Sequence, residues 1–219
     1  MIQARSPLFI VFDGMDGSGK TTQMHRLAER LRALGQPVVT TCEPTGNPDG
    51  VRLRQALSGQ IPATLQQMAA MFLLDRIGHN QNPESGIEKY LSDGCTVLCD
   101  RYYYASMAYQ GGDDPASFRW VADMNRNCPA IRHPDGCICF DLDPETAMRR
   151  ITAGRSPEQL EIYETVSQQA RIRERFRRVR EMLADEELII TVDAGGTPDE
   201  VAEGVFAAYL RIAAAAGKH

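Results

Sequence analysis

Lysine is nearly missing from this chain. Among 219 residues only Lys20, Lys89 and Lys218 occur, and arginine supplies most of the positive charge. Lys20 therefore stands almost alone as an ammonium group in the first half. A basic excess is missing too. The net charge of −5 excludes a global bias toward nucleic acid. The six cysteines (Cys42, Cys95, Cys99, Cys128, Cys137 and Cys139) include no CxxC pair and no zinc-type spacing. Most lie in apolar, β-like runs, where buried free thiols are expected, and that suits a reducing cytoplasm. No apolar stretch is long enough to cross a membrane. The run at residues 8 to 12 is too short for a signal peptide and soon meets Asp13. Repeats, linkers and low-complexity tracts are also lacking, so residues 1–219 read as one domain, large enough to bury a sizeable core.

Short apolar runs alternate with longer helical patterns. Strands are predicted at Leu8 to Phe12, Val38 to Cys42, Thr96 to Cys99 (ending in Asp100), Asp135 to Leu142 and Leu188 to Val192. Helices are predicted over Thr21 to Leu34, stopped by Gly35 and Pro37, and over Pro62 to His79, resuming after Pro83 up to Leu91. Pro144 marks another start. Leu160, Tyr163, Val166, Ala170, Phe176, Val179 and Leu183 form one stripe of a long helix, and Pro198 to Ala215 is the last. This alternation predicts an α/β fold, a parallel sheet with helices on both faces. A small mobile lid insert is expected at about residues 150–160.

The strongest signal is Gly14-Met15-Asp16-Gly17-Ser18-Gly19-Lys20-Thr21, which matches GxxxxGK[ST] between a strand and a helix. Glycines let backbone N–H groups wrap phosphate oxygens without Cβ clashes, and the helix N-terminus adds its own attraction. Lys20 supplies a point charge near the β- and γ-phosphates, and Thr21 a hydroxyl for Mg²⁺. A merely connecting glycine turn is the competing reading. The motif points to a nucleotide phosphate without naming the reaction.

Further pieces follow in order: Glu43-Pro44, Phe72 through Asp75-Arg76 to His79, Asp100-Arg101-Tyr102, Ala108-Tyr109-Gln110-Gly111 and Asp141-Leu142-Asp143-Pro144-Glu145. With Phe12 through Gln23, they make the chain resemble the thymidylate kinase family, in the nucleoside monophosphate kinase group, over about Leu8 to Val192. The resemblance implies a P-loop NTPase fold with a five-stranded parallel sheet. It implies ATP as donor, dTMP as acceptor, Mg²⁺ as cofactor and a cytoplasmic homodimer that binds neither nucleic acid nor membrane. ATP would be held by residues 14 to 21 with Thr22. Asp16 would lie near the acceptor's 3′-hydroxyl and the metal, and Asp100 by the sugar or the metal shell. Arg101 would contact phosphates of both substrates.

Phe72 and Arg76 are one helical turn apart, as are Ser106 and Gln110. By resemblance Phe72 stacks on thymine, Arg76 bonds its O4 with support from Asp75, and Ser106 and Gln110 read N3 and O4 beside Tyr109 at the sugar. Simple core packing for Phe72 and a surface hydroxyl for Ser106 compete with these roles. Arg54 would bind phosphate, and Glu43 would order its loop or assist the metal. Because Gly17 leaves the P-loop without arginine, the lid would carry that charge through Arg155 first, then Arg149 or Arg150. Tyr163 would exclude a ribose 2′-hydroxyl or simply pack. Cys42 stands where many relatives have arginine, and Glu161-Ile162 where they have Asp-Arg. The Arg171 to Arg180 run, interleaved with Glu174, Glu181 and apolar residues, reads as a solvated helix face. The rivals are a kinase for another nucleotide and a P-loop switch that transfers nothing.

Overall fold

The structure is a computed structural model that describes residues 6–153 and 165–217. Its five strands are all parallel: β1 (Phe9–Gly14), β2 (Val38–Cys42), β3 (Thr96–Asp100), β4 (Gly136–Asp141) and β5 (Ile189–Asp193). Their order is β2-β3-β1-β4-β5. Val11 sits between Cys99 and Cys137 in the register. Every residue of β1 and β3 is buried, and all of β4 except Asp141. That double burial is why these runs do not alternate in polarity. Three of the six cysteines, Cys99, Cys137 and Cys139, are buried free thiols in these strands.

The helices among the described residues are α1 (Lys20–Ala33), α2 (Pro48–Leu57), α3 (Leu65–Gln81), α4 (Ile87–Ser92), α5 (Tyr103–Gln110), α6 (Pro115–Arg126), α7 (Pro144–Ala153), α8 (Val166–Leu183) and α9 (Pro198–Ala216). Helices α1 and α9 pack together against the sheet, while α5 meets β1 and carries α3, α6 and α8 on its other sides.

Helix starts follow local chemistry. Thr64 caps α3 by accepting from the Gln67 N–H, and the Gln67 side chain accepts from the Thr64 N–H. This box moves the start from the expected Pro62 to Leu65. Thr197 and Glu200 form the same box ahead of α9. Asp143 accepts from the Thr146 N–H at the head of α7. That helix runs on to Ala153, so the first residues of the expected insert are helical and the rest lie outside the described residues.

The long stripe of α8 is shifted from the prediction. Gln169, Ile172, Phe176, Val179 and Leu183 are buried, whereas Val166 and Ala170 are exposed. The stripe's Leu160 and Tyr163 lie outside the described residues. Arginines fill the other side of this helix, where Arg177 bridges Glu174 and Glu181. Helix α6 was not read from the sequence, and α5 only through the one-turn spacing of Ser106 and Gln110. All eight residues of α5 are buried, so it has no polar face to give a period.

Phe176 lies edge-on to Tyr109, with ring centroids 6.3 Å apart, and fixes α8 to α5. Replacing Phe176 with Ala leaves a cavity there. Denaturant titration is expected to show a loss of about 3–5 kcal/mol in unfolding free energy.

Candidate active site

The carboxyl ends of the central strands converge, as open α/β sheets require of a ligand site. Strand β1 runs into the glycine loop. Gly14, Gly17 and Gly19 all hold positive φ, and a Cβ at Gly14 would strike the Phe140 carbonyl. At Gly17 a Cβ would sit 2.6 Å from the Ala147 carbonyl oxygen. Only glycine satisfies both constraints. Gly19 is the N-cap of α1 and leaves its first-turn N–H groups without a side-chain partner. Ser18 Oγ and Lys20 Nζ each donate to the Met15 carbonyl at 2.7 Å. Lys20 is 6% exposed. Burial, then the Arg101 charge, pushes its pKa down, against Asp16, Asp100 and Asp13.

Thr21 Oγ1 donates to Asp100 Oδ2. The other oxygen of Asp100 is buried and has no hydrogen-bond partner among the described residues. Thr22 is exposed on the same turn.

Arg101 is the one non-glycine residue with positive φ among the described residues, at 67°. Its guanidinium bonds Asp16 Oδ1, and Tyr109 Oη donates to Asp16 Oδ2 at 2.9 Å. Burial would raise the Asp16 carboxyl, but Arg101 and Lys20 outweigh it and hold the pKa below its usual value. Burial and the Asp16 charge keep Tyr109 a phenol, well above its ordinary pKa. Arg101 rises despite burial, chiefly through Asp16.

Between α2, α3 and α5 opens a cleft of about 480 Å³. Asp16, Arg54, Phe72, Arg101, Tyr109 and Gln110 all line it. Gln110 Oε1 is buried without a hydrogen-bond partner among the described residues, so it is an acceptor still in need of a donor. Arg54 donates to the Thr45 carbonyl at 2.6 Å and to the Pro44 carbonyl, which draws the loop after β2 against α2. Its neighbour Arg52 is exposed.

Glu43, Arg76 and Ser106 stand behind this wall rather than in it. Arg76 is fully buried, and its Nε donates to Glu43 Oε2 at 2.8 Å. It also bonds Asn125 Oδ1 and reaches Ser106 Oγ at 3.2 Å. His79 Nδ1 lies 3.0 Å from the other Glu43 oxygen. Glu43 is thus spent on the network and orders its loop. Ser106 is no surface hydroxyl. Asp75, expected beside Arg76, instead accepts from the Thr45 N–H at 2.8 Å and the Thr45 hydroxyl at 2.5 Å. Arg149 bonds Thr146, and Arg150 donates to the Ala194 carbonyl at 3.0 Å. Arg155 and Tyr163 lie outside the described residues.

The sequence profile of thymidylate kinase matches residues 12–205. The chain belongs to the thymidylate kinase family. The curated thymidylate kinase of Leptospira borgpetersenii is 33% identical over 211 residues, covering 96% of this chain and 97% of the relative. That of Deinococcus radiodurans is 33% identical over 201 residues, 92% and 95% of the two chains. That of Pelotomaculum thermopropionicum is 38% identical over 154 residues, 70% and 71%.

For this thymidylate kinase family member, reading the sequence missed three contributions. Val51 and Leu57 bring apolar side chains of α2 to the cleft, with Gln55 beside them. Asn125 and His79 complete the buried network. Asp13 is fully buried, and burial pushes its pKa up to about 6 against the pull of Arg101, Lys20 and backbone N–H donors. A carboxylate at the penultimate position of an otherwise apolar strand was the available signal.

Glu43→Ala would strand the Arg76 guanidinium without its counter-charge. Urea unfolding should register a loss of about 3–5 kcal/mol.

Proposed function

We propose that the chain transfers the γ-phosphoryl group of ATP to the 5′-phosphate of dTMP, giving ADP and dTDP. One observation carries this reading. The glycine loop with Lys20 and the cleft with Phe72 and Gln110 meet at a single carboxylate, Asp16, shared with Arg101 and Tyr109. A donor site and an acceptor site joined at a cationic cluster suit transfer between two phosphates. The thymidylate kinase relatives identify the acceptor class.

The acceptor phosphate is already substantially ionised at neutral pH, so it needs no strong general base. The chain's task is alignment and charge neutralisation in a loose transition state. Residues 14 to 22 wrap the ATP phosphates with N–H groups, and Lys20 swings from the Met15 carbonyl onto them. Arg101 leaves Asp16 to bridge donor and acceptor phosphates. Arg54 holds the acceptor phosphate, and Asp16 and Tyr109 take the sugar. Phe72 gives a flat apolar face to the pyrimidine, and the unpartnered Gln110 oxygen accepts the base N3–H. Arg76 and Ser106, bonded to each other behind the wall, brace the base side of the cleft. Arg149, Arg150 and Arg155 supply lid charge, and Tyr163 disfavours a 2′-hydroxyl.

The hard oxygen donors at Thr21 and Asp100, with Asp16 as a further carboxylate of the glycine loop, suit Mg²⁺, and the bare buried oxygen of Asp100 supports that fit. When bound, the ion would add charge neutralisation at the phosphates. No helix among the described residues is long and apolar enough to cross a membrane. We extend the reading to one domain working as a cytoplasmic homodimer. Leu74, exposed in the middle of α3, supports a helix-packed interface.

A coupled ADP-release assay with dTMP, dUMP, CMP, GMP and AMP is expected to select dTMP. Acceptor-independent hydrolysis would instead favour a switch. In the same assay Lys20→Ala should lose kcat by at least about a hundredfold with an unchanged melting temperature. Phe72→Ala should mainly raise KM for dTMP, because a stacking face binds ground and transition states alike.

A further inference from the structure

Asp13 is a buried carboxylate to which the mechanism gives no role. Asp13 lies on β1, one residue before the glycine loop, and is wholly removed from solvent. Its Oδ1 accepts from the Gly14 N–H at 2.9 Å, the first amide of the loop. Its Oδ2 accepts from the Ala105 N–H at 2.9 Å and the Tyr102 N–H at 3.3 Å. Those two amides are the third helical residue and the N-cap of α5. Tyr102 offers no side-chain cap of its own, so a strand residue distant in sequence caps the helix.

What α5 carries makes this contact consequential. Tyr109 and Gln110 at its far end line the acceptor cleft. Immediately before its N-cap stands Arg101, held in the left-handed region and aimed at Asp16. A non-glycine residue there persists only where neighbouring groups enforce it. One such restraint is the bond from the Arg101 N–H to the Phe12 carbonyl at 2.8 Å. The next is the Asp13 grip on Tyr102.

We propose that Asp13 is a positioning residue for phosphoryl transfer: one carboxylate oxygen fixes the donor loop, the other fixes the acceptor helix and the Arg101 turn, and together they set the distance between the two substrates. This rests on the transfer reading above. The group touches neither nucleotide.

An amide at this position keeps the shape but accepts through one atom only, so one of the two elements loses its anchor. Asp13→Asn is therefore expected to lower kcat about a hundredfold, the scale of a small misplacement. Binding of ATP alone and of dTMP alone, measured by calorimetry, should change little, because each half-site stays whole. Asp135 provides a matched control. Its Oδ2 accepts from the Phe9 N–H at 2.7 Å at the opposite end of the same strand, remote from the site. Asp135→Asn should lower the melting temperature while leaving kcat unchanged. If Asp13→Asn fails to fold, Asp13→Glu decides. It keeps both acceptors but lengthens the link, and it should show the same loss of kcat with intact single-nucleotide binding. Native kcat in a folded Asp13 variant, or a loss matched by Asp135→Asn, overturns the proposal. An unaltered chain that fails to phosphorylate dTMP overturns the transfer reading instead.

Discussion

Two cations, Lys20 and Arg101, turn toward the same carboxylate, and their mutual repulsion is the constraint around which the site is arranged. Arg101 lowers the basicity of Lys20, while Asp16 sits 4.0 Å from the lysine and directly against the guanidinium. Without that anion, a buried ammonium and a partly buried guanidinium would have to share a poorly hydrated corner. With it, the corner is neutral enough to fold and still rich in donors. Incoming phosphates can take over the role of the carboxylate, since they offer more acceptor oxygens to both cations.

A second buried cation is managed differently. Arg76 is enclosed by Glu43, Asn125 and Ser106, with His79 on the far oxygen of Glu43. This network ties α3, α5 and α6 to the loop after β2. Its members come from four separate segments, so it fixes the relative placement of the cleft walls more than any one contact with a ligand. Polar groups this deeply buried are costly unless every partner is present. The two side chains that meet the cleft over this base, Phe72 and Gln110, inherit its rigidity.

The sheet and most helices were legible because parallel strands leave short apolar runs and capping residues mark helix starts. Val38–Cys42 and the start of α9 at Pro198 were read to the residue. The glycine loop was legible because its steric demands are local. Helix α5 was legible only in the spacing of Ser106 and Gln110 and its bounds were not, since burial on all sides erases the period on which such reading depends. Arg76 was recognised as functional, but its place behind Ser106 depends on Glu43, Asn125 and Ser106, which lie far from it in the chain. Asp75 faced Thr45 for the same reason. Pairings between distant segments are set by packing, and no local pattern records them.

The backbone at Arg101 carries a wider consequence. Glycine would occupy its left-handed conformation at no steric cost, and asparagine at little. The chain instead places there a bulky cation aimed at Asp16. Local ease and the delivery of charge are therefore opposed at one position. A variant chosen only for resistance to heat would gain by relaxing residue 101 and would lose the guanidinium in doing so. Heat resistance and turnover thus compete through a single backbone torsion.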